Sequence, residues 1–361
     1  MKPTSATDAE RCRSGAERGS SAPWIGAALF LLFTSHSWTF AAELRLDSTN
    51  LVCATTEANL PAAASVVDIN PSDCSATSSN PTPAYDPGST FTIQVVVHVL
   101  EDTACAQGII SDELVASQIA ILNEDYGALP GSPGAAGVDS GIRFALATVD
   151  PAGQPTTGIT RSCNTTWFND QTATSPYFDT LAWDPTRYLN LYTSSAGGAR
   201  GYVPFLPAIE PAKIGTNQDR VVINWQAFGR PGPFPTHDGG RTATHEIGHF
   251  FGLFHVYYTG CGTATAPDCY STGDTLCDTA PDEDTPVHHG CMTGSTSCGG
   301  VPLPVENYME LSDDSCMTGF TLEQTRRLRC TIASYRASLA VIVFNDGFEN
   351  GGTGLWSLAL S

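Results

Sequence analysis

The stretch HEIGHFFGLFH, His245 to His255, constrains this chain more than any other. His245 and His249 stand four positions apart, so on a helix they project from one face about one turn from each other, within reach of a single metal ion. Glu246 sits beside the first of them. Ile247, Phe250, Phe251 and Phe254 follow the i, i+3, i+4, i+7 spacing of a buried stripe, which predicts that the far side of this helix is sunk in a core. Gly252 permits a sharp exit, so that His255 can approach the same ion from outside the helix.

Three imidazoles with one position left open predict zinc of the catalytic kind, because structural zinc is usually closed by four protein ligands, often cysteines. Bound zinc lowers the pKa of water at the open position towards about 7. Glu246 is placed to take that water's proton as general base, with a carbonyl as the expected electrophile. A bare HExxH arises by chance in on the order of one in a hundred chains of this size, and the added Gly252 and His255 cut that rate several hundredfold.

The chain has 361 residues, 41% of them hydrophobic, enough for one medium catalytic domain with terminal extensions. Its formal charge is -20, and with residues 1 to 41 set aside the remainder holds 13 basic and 34 acidic groups. Such a surface repels nucleic acid and anionic membranes.

Residues 1 to 41 have the form of a secretory signal peptide: Arg11, Arg13 and Arg18 precede an apolar run from Trp24 to Phe33, too short to span a bilayer, and Thr39-Phe40-Ala41 offers small residues for cleavage. A secreted protein with no membrane span in its mature chain is expected. Eleven of the twelve cysteines lie beyond this segment, in keeping with an oxidising destination, and the odd number leaves at least one thiol unpaired or bridged to another chain. Residues 42 to 90, rich in Ala, Ser, Thr and Pro, predict a leader or propeptide. Cys53 or Cys74 in that leader could hold the zinc as a thiolate and keep an enzyme latent; a Cys53 to Cys74 disulfide is the other reading. No Lys or Arg occurs between Arg45 and Arg143, which excludes release near position 80 by a protease that needs a basic residue.

A catalytic domain over 91 to 340 is expected. Phe91 to Leu100 is a β-branched strand, and Ser111 to Tyr126 is a helix capped by Ser111. Ile142 to Val149, Arg187 to Thr193 and Arg220 to Trp225 are further strands, giving a mixed α/β sheet packed on helices. The histidine-bearing helix is expected to begin near Asp238 or Gly239 with Asp238 as its cap. His98, inside a strand, is read as structural. From 259 to 305, Cys261, Cys269, Cys277, Cys291 and Cys298 lie among Gly, Asp, Thr and Pro, the composition of an irregular part stapled by bridges. Asp274, Asp278, Asp282, Glu283 and Asp284 are candidates for calcium, at no EF-hand spacing. Thr321 to Arg336 is a terminal helix with Thr321 and Gln324 as a capping box, and residues 341 to 361 form a Gly-rich tail like those on secreted bacterial proteins.

Several stretches, in order, resemble the pappalysin-type metzincins, the family of ulilysin and the pregnancy-associated plasma proteins: VVVHVL, QIAILNEDY, GIRFALATVDPAG, RYLNLYTS, GRTATHEIGHFFGLFH, the pair Gly260-Cys261, and NYMELSDDSCMTGFTLEQ. The long histidine string is itself the metzincin signature. The resemblance implies a zinc endopeptidase acting on proteins or peptides across a horizontal cleft, an upper sheet with its active helix, and a lower disulfide-bonded half. It implies a Met-turn at Met309 as an apolar floor under the imidazoles, bridges Cys261 to Cys298 and Cys291 to Cys316, and calcium near the segment after His255. One departure is Leu311, where the family generally has a tyrosine that helps stabilise the oxyanion. A catalytically idle zinc-bearing binding module is the competing reading, favoured by Leu311 and opposed by the intact Glu246. Oligomeric state has no signal in the sequence.

Overall fold

The protein is seen in a computed structural model that describes residues 52–55, 74–75, 82–169, 177–261, 269–283 and 290–343. The expected signal segment, most of the leader, and the tail beyond Val343 lie outside the described residues, as does Asp284.

The sheet is built on its longest strand. Strand β1 (Thr90–Glu101) is a β-branched run buried from Val95 onwards, and it pairs in parallel with β2 (Ile142–Leu146) and β3 (Ile159–Cys163) along one edge. On the other edge it pairs in parallel with β4 (Leu189–Ser194), which pairs with β6 (Arg220–Asn224); the two-residue β5 (Gly201–Tyr202) runs antiparallel to β6. The order is β2-β1-β4-β6-β5. A last strand, β9 (Ala340–Val343), joins the start of β1 in antiparallel register, so the sheet extends past the boundary expected at residue 340. A small hairpin of β7 (Thr296–Ser297) and β8 (Val301–Pro302) stands apart from it.

Alternation along the strands divides the core. Val95, Val97 and Val99 face a large cluster shared with helix α1 (Asp112–Tyr126) and helix α4 (Arg241–Phe250). Leu100, Tyr192 and Val222 join a second cluster with Tyr177 and Phe178 of the short helix α3 (Tyr177–Leu181), which follows the one-turn α2 (Thr165–Phe168). A sheet clad on both faces accounts for its mostly parallel strands. His98 has its Nδ1 2.8 Å from Thr160 Oγ1 and its Nε2 2.9 Å from Asn190 Oδ1, so this strand histidine is satisfied within the fold. Ser111 caps α1, accepting from the Leu114 N–H.

The start of α4 departs from expectation. The helix begins at Arg241 with Gly240 at its cap in the left-handed conformation, and Asp238 makes no cap. The capping carboxylate comes from 75 residues away: Asp314 Oδ2 accepts the N–H groups of Gly239 (2.8 Å) and Arg241 (3.1 Å). At the other end, the carbonyls of Phe250 and Gly252 accept from Arg336 Nε (3.0 Å) and Arg327 Nε (2.6 Å) of the terminal helix region. A negative group at the N-terminus and guanidinium groups at the C-terminus both oppose the helix dipole. The terminal helix α5 (Leu322–Tyr335) has the Thr321–Gln324 capping box, reinforced by Asp278, whose carboxylate accepts from Thr321 Oγ1 and the Glu323 N–H.

Among the described residues five disulfides are formed: Cys74–Cys330, Cys105–Cys163, Cys261–Cys298, Cys269–Cys277 and Cys291–Cys316. Cys74 therefore joins α5 rather than Cys53, and Cys53 is a buried free thiol. Among the described residues no helix is long and apolar enough to cross a membrane.

Candidate metal centre

All ten residues of α4 are buried. Ile247, Phe250, Phe251 and Phe254 enter the main core, which turns His245 and His249 to the other side. Gly252, at φ +89°, ends the helix in a Schellman turn: its own N–H reaches the His249 carbonyl at 2.8 Å and the Leu253 N–H reaches the Gly248 carbonyl at 2.9 Å. That reversal returns His255 to the helix face. The three Nε2 atoms form a triangle with sides of 3.1 Å (His245 to His249), 3.1 Å (His249 to His255) and 3.2 Å (His245 to His255).

This donor set fits a zinc ion. The Nδ1 atoms of His245 and His249 face the carbonyl oxygens of Tyr308 (2.7 Å) and Leu253 (2.9 Å), so each Nδ1 carries the proton and each Nε2 directs a lone pair inward. Converging lone pairs repel unless a cation sits among them. Tetrahedral zinc with Zn–N of about 2.05 Å sets its nitrogens about 3.3 Å apart, close to the sides observed. Burial lowers the His245 pKa to about 3 and holds that of His249 well below the ordinary imidazole value, which favours both rings as neutral donors.

Cys53 closes the cluster, and its Sγ lies 3.7 Å from His249 Nε2. A thiolate and an imidazole sharing one tetrahedral zinc are separated by about 3.6 Å. Burial, then the Glu246 carboxylate, pushes the Cys53 thiol far above the usual thiol range, so only a neighbouring cation would ionise it. The next two residues are engaged as well. The Ala54 N–H reaches the Gly201 carbonyl on β5 at 3.0 Å, and Thr55 Oγ1 accepts the Val203 N–H at 2.9 Å while donating to Glu246 Oε2 at 2.9 Å. Burial raises the Glu246 pKa to about 7.

Met309 is fully buried, and its Sδ packs against α4 at Gly248, where a Cβ would come within 2.5 Å of the sulfur. The turn that carries it is pinned from two sides. Tyr308 donates to Asp125 Oδ1 (2.7 Å) on α1, which also takes Thr244 Oγ1 on its other oxygen (2.7 Å), and Asn307 Oδ1 accepts the Met309 N–H (2.9 Å). Leu311 is buried, and no phenol stands at its position. The acids considered for calcium are engaged otherwise: Asp274 accepts from Gln324 Nε2 (3.0 Å) and Asp278 caps α5. Among the described residues no three of them bring carboxylate oxygens together. Glu101, Cys105 and Cys163 also lie close together, but both cysteines are in a disulfide.

Sequence reasoning missed Asp125, Asp314, Thr55 and His237. The last lines the recess beside His245 and Glu246, and burial followed by the charge of Arg200 lowers its pKa to about 3. Asp125, Asp314 and Thr55 act through partners distant in the chain, and a lone polar residue carries no periodic signal.

A mixed sheet above, a helix with two histidines, a third histidine past a glycine turn and a methionine packed beneath them define a class: the chain is a metalloendopeptidase of metzincin fold. Comparison with known proteins agrees. A family model described as pregnancy-associated plasma protein-A matches residues 172–333. An extracellular metalloprotease of Pyricularia oryzae is 32% identical over 256 residues, 69% of this chain and 77% of that one, and one of Colletotrichum graminicola is 32% identical over 254 residues, 69% and 79%. Among solved structures, mirolysin in complex with compound 9 shares 30% identity with a TM-score of 0.58, covering 70% of this chain and 97% of that one. A promirolysin mutant of Tannerella forsythia shares 31% identity with a TM-score of 0.57, covering 71% and 84%. The chain belongs to the pregnancy-associated plasma protein-A family of zinc metallopeptidases, acts on proteins or peptides, and like its relatives is secreted.

Proposed function

We propose that His245, His249 and His255 hold one zinc ion through their Nε2 atoms, that Glu246 is the general base for peptide hydrolysis, and that Cys53 is a latency thiol. The observation that carries this reading is the convergence of three Nε2 atoms and one free thiol at a single point beside a buried carboxylate. When bound, zinc supplies Lewis acidity that makes water acidic near pH 7 and polarises the scissile carbonyl. Glu246, raised to about 7, is in the range to accept a proton from water near neutral pH and return it to the leaving amine. Met309 floors the imidazoles. With Leu311 in place of a phenol, the chain supplies no tyrosine hydroxyl to the oxyanion there.

Latency follows from the same contacts. Cys53 fills the corner that water needs, Thr55 occupies a Glu246 oxygen, and Ala54 and Thr55 take the Gly201 carbonyl and Val203 N–H of the sheet edge, groups that a substrate strand would use. Residues 1–41 are a signal peptide and 42–90 a leader whose Cys53 end leaves on activation. The domain over 91–340 then does the chemistry, with 341–361 as a tail.

The test is Glu246→Gln beside Cys53→Ala. The first should retain one zinc per chain and lose casein hydrolysis by about 10²-fold to 10⁴-fold. The second should give the unprocessed chain activity that the parent lacks before processing. Undiminished turnover in Glu246→Gln removes the assigned base, and equal latency in both unprocessed chains removes the thiol's role.

A further inference from the structure

Three donors converge on Asp125, a fully buried carboxylate in the last turn of α1. Thr244 Oγ1 donates to Oδ2 at 2.7 Å, Tyr308 Oη donates to Oδ1 at 2.7 Å, and Arg241 Nη2 stands 3.4 Å from that same Oδ1. An ionised carboxylate accepts from all three without offering a proton of its own, which an amide cannot do. Desolvation offsets much of what a buried ion pair gains, so Asp125 is better read by the geometry it fixes than by the stability it adds.

Both hydroxyls belong to residues that hold His245. Thr244 precedes it on α4, and the Thr244 carbonyl also accepts from Tyr126 Oη at 3.1 Å, so consecutive residues of α1 grip the ligand's neighbour by side chain and by backbone. Tyr308 supplies the carbonyl that accepts from His245 Nδ1 at 2.7 Å. The corresponding carbonyl at His249, that of Leu253, lies four residues along in the turn that ends α4, whereas the Tyr308 carbonyl comes from 63 residues away on a separate segment. Asp125 spans that gap. One of its oxygens is on the helix at Thr244 and the other on the turn at Tyr308, so the carboxylate sets where the carbonyl stands against the imidazole it orients. Phe320 backs the phenol ring, with centroids 4.9 Å apart.

We propose, resting on the site reading above, that Asp125 is a positioning residue of the metal centre: it fixes the Tyr308 carbonyl against His245, and through that contact the tautomer and direction of the imidazole that binds zinc. Partners one step outside the ligands change metal affinity by about 10-fold to 100-fold when removed. Asp125 acts through Thr244 and Tyr308, so its loss is felt at the metal through His245.

The test measures the zinc affinity of the activated enzyme by competition with a chelator, and the visible absorption of the cobalt(II)-substituted enzyme, whose bands report the ligand geometry. Tyr308→Phe and Asp125→Ala should each weaken zinc binding by about tenfold or more and shift the cobalt bands, with kcat lowered and KM little changed. The double variant should bind zinc within about twofold of Asp125→Ala, because the phenol acts through the carboxylate already removed. Phe178→Leu, in the second core cluster, loosens the fold away from this path and should keep the parent's zinc affinity and cobalt spectrum. A folded Tyr308→Phe with the parent's affinity and spectrum overturns the proposal, as do losses that multiply in the double variant or an equal loss in Phe178→Leu. Tyr308→Phe decides even where Asp125→Ala does not fold. A parent that takes up neither zinc nor cobalt overturns the site reading, and the proposal with it.

Discussion

Gly248 lies between the two histidines of α4, and its missing side chain is occupied by the Met309 sulfur. Gly248→Ala would force that sulfur away from the helix, and overpacking of this kind costs about 1–3 kcal/mol. Urea unfolding should show the loss, together with weaker zinc retention against a chelator; unchanged values would mean that Met309 has room to swing aside. His98 makes a different prediction. Burial lowers its pKa from 6.5 to about 4, so the folded chain favours the neutral ring and the unfolded chain takes up the proton first. Its contribution to stability is full above pH 6.5 and is lost as pH falls towards 4, by about 3 kcal/mol for about 2.5 units. A flatter acid limb in His98→Gln, followed by denaturation at several pH values, would confirm that this ring titrates; an identical limb would refute it. The sequence made His98 legible as structural because it sits inside a β-branched run. It gave no access to His237, set in a loop where Thr236 is held at φ +68°.

Helix α4 was legible because its apolar stripe and its histidines follow the same period. Its capping was not, since Asp314 and Arg336 come from segments 73 to 86 residues away and only the fold brings them to the helix ends. The long strand β1 and the five-residue β6 show their β-branched composition openly, whereas β5, whose carbonyl meets the leader, has two residues and no pattern to read. Arg336 bonds both the Phe250 carbonyl and the buried carboxylate of Asp219. Arg336→Met leaves Asp219 charged and uncompensated in the interior, a loss of about 3–5 kcal/mol. The double variant with Asp219→Asn should recover part of it; a double variant no more stable than Arg336→Met would show that the Phe250 carbonyl, not the ion pair, is the dominant partner.

Across the whole molecule, composition alone announced bridges in the second half but could not assign them, because pairing depends on which loops the sheet brings together. The resemblance supplied two pairs, and the structure has Cys261–Cys298 and Cys291–Cys316. The odd cysteine is Cys53, at the metal centre, and the bridge from the leader runs to α5 through Cys74–Cys330. That bridge closes a loop of 256 residues, so Cys74→Ser should lower stability by about 2–5 kcal/mol, measured by thermal unfolding. The same bond also sorts the products of maturation. A nick on the amino-terminal side of Cys74 lets the piece bearing Cys53 diffuse away, whereas a nick between Cys74 and β1 leaves that piece leashed to the enzyme, ready to settle back until a reductant cuts the leash. Gels of the processed protein run with and without reductant would tell the two fates apart.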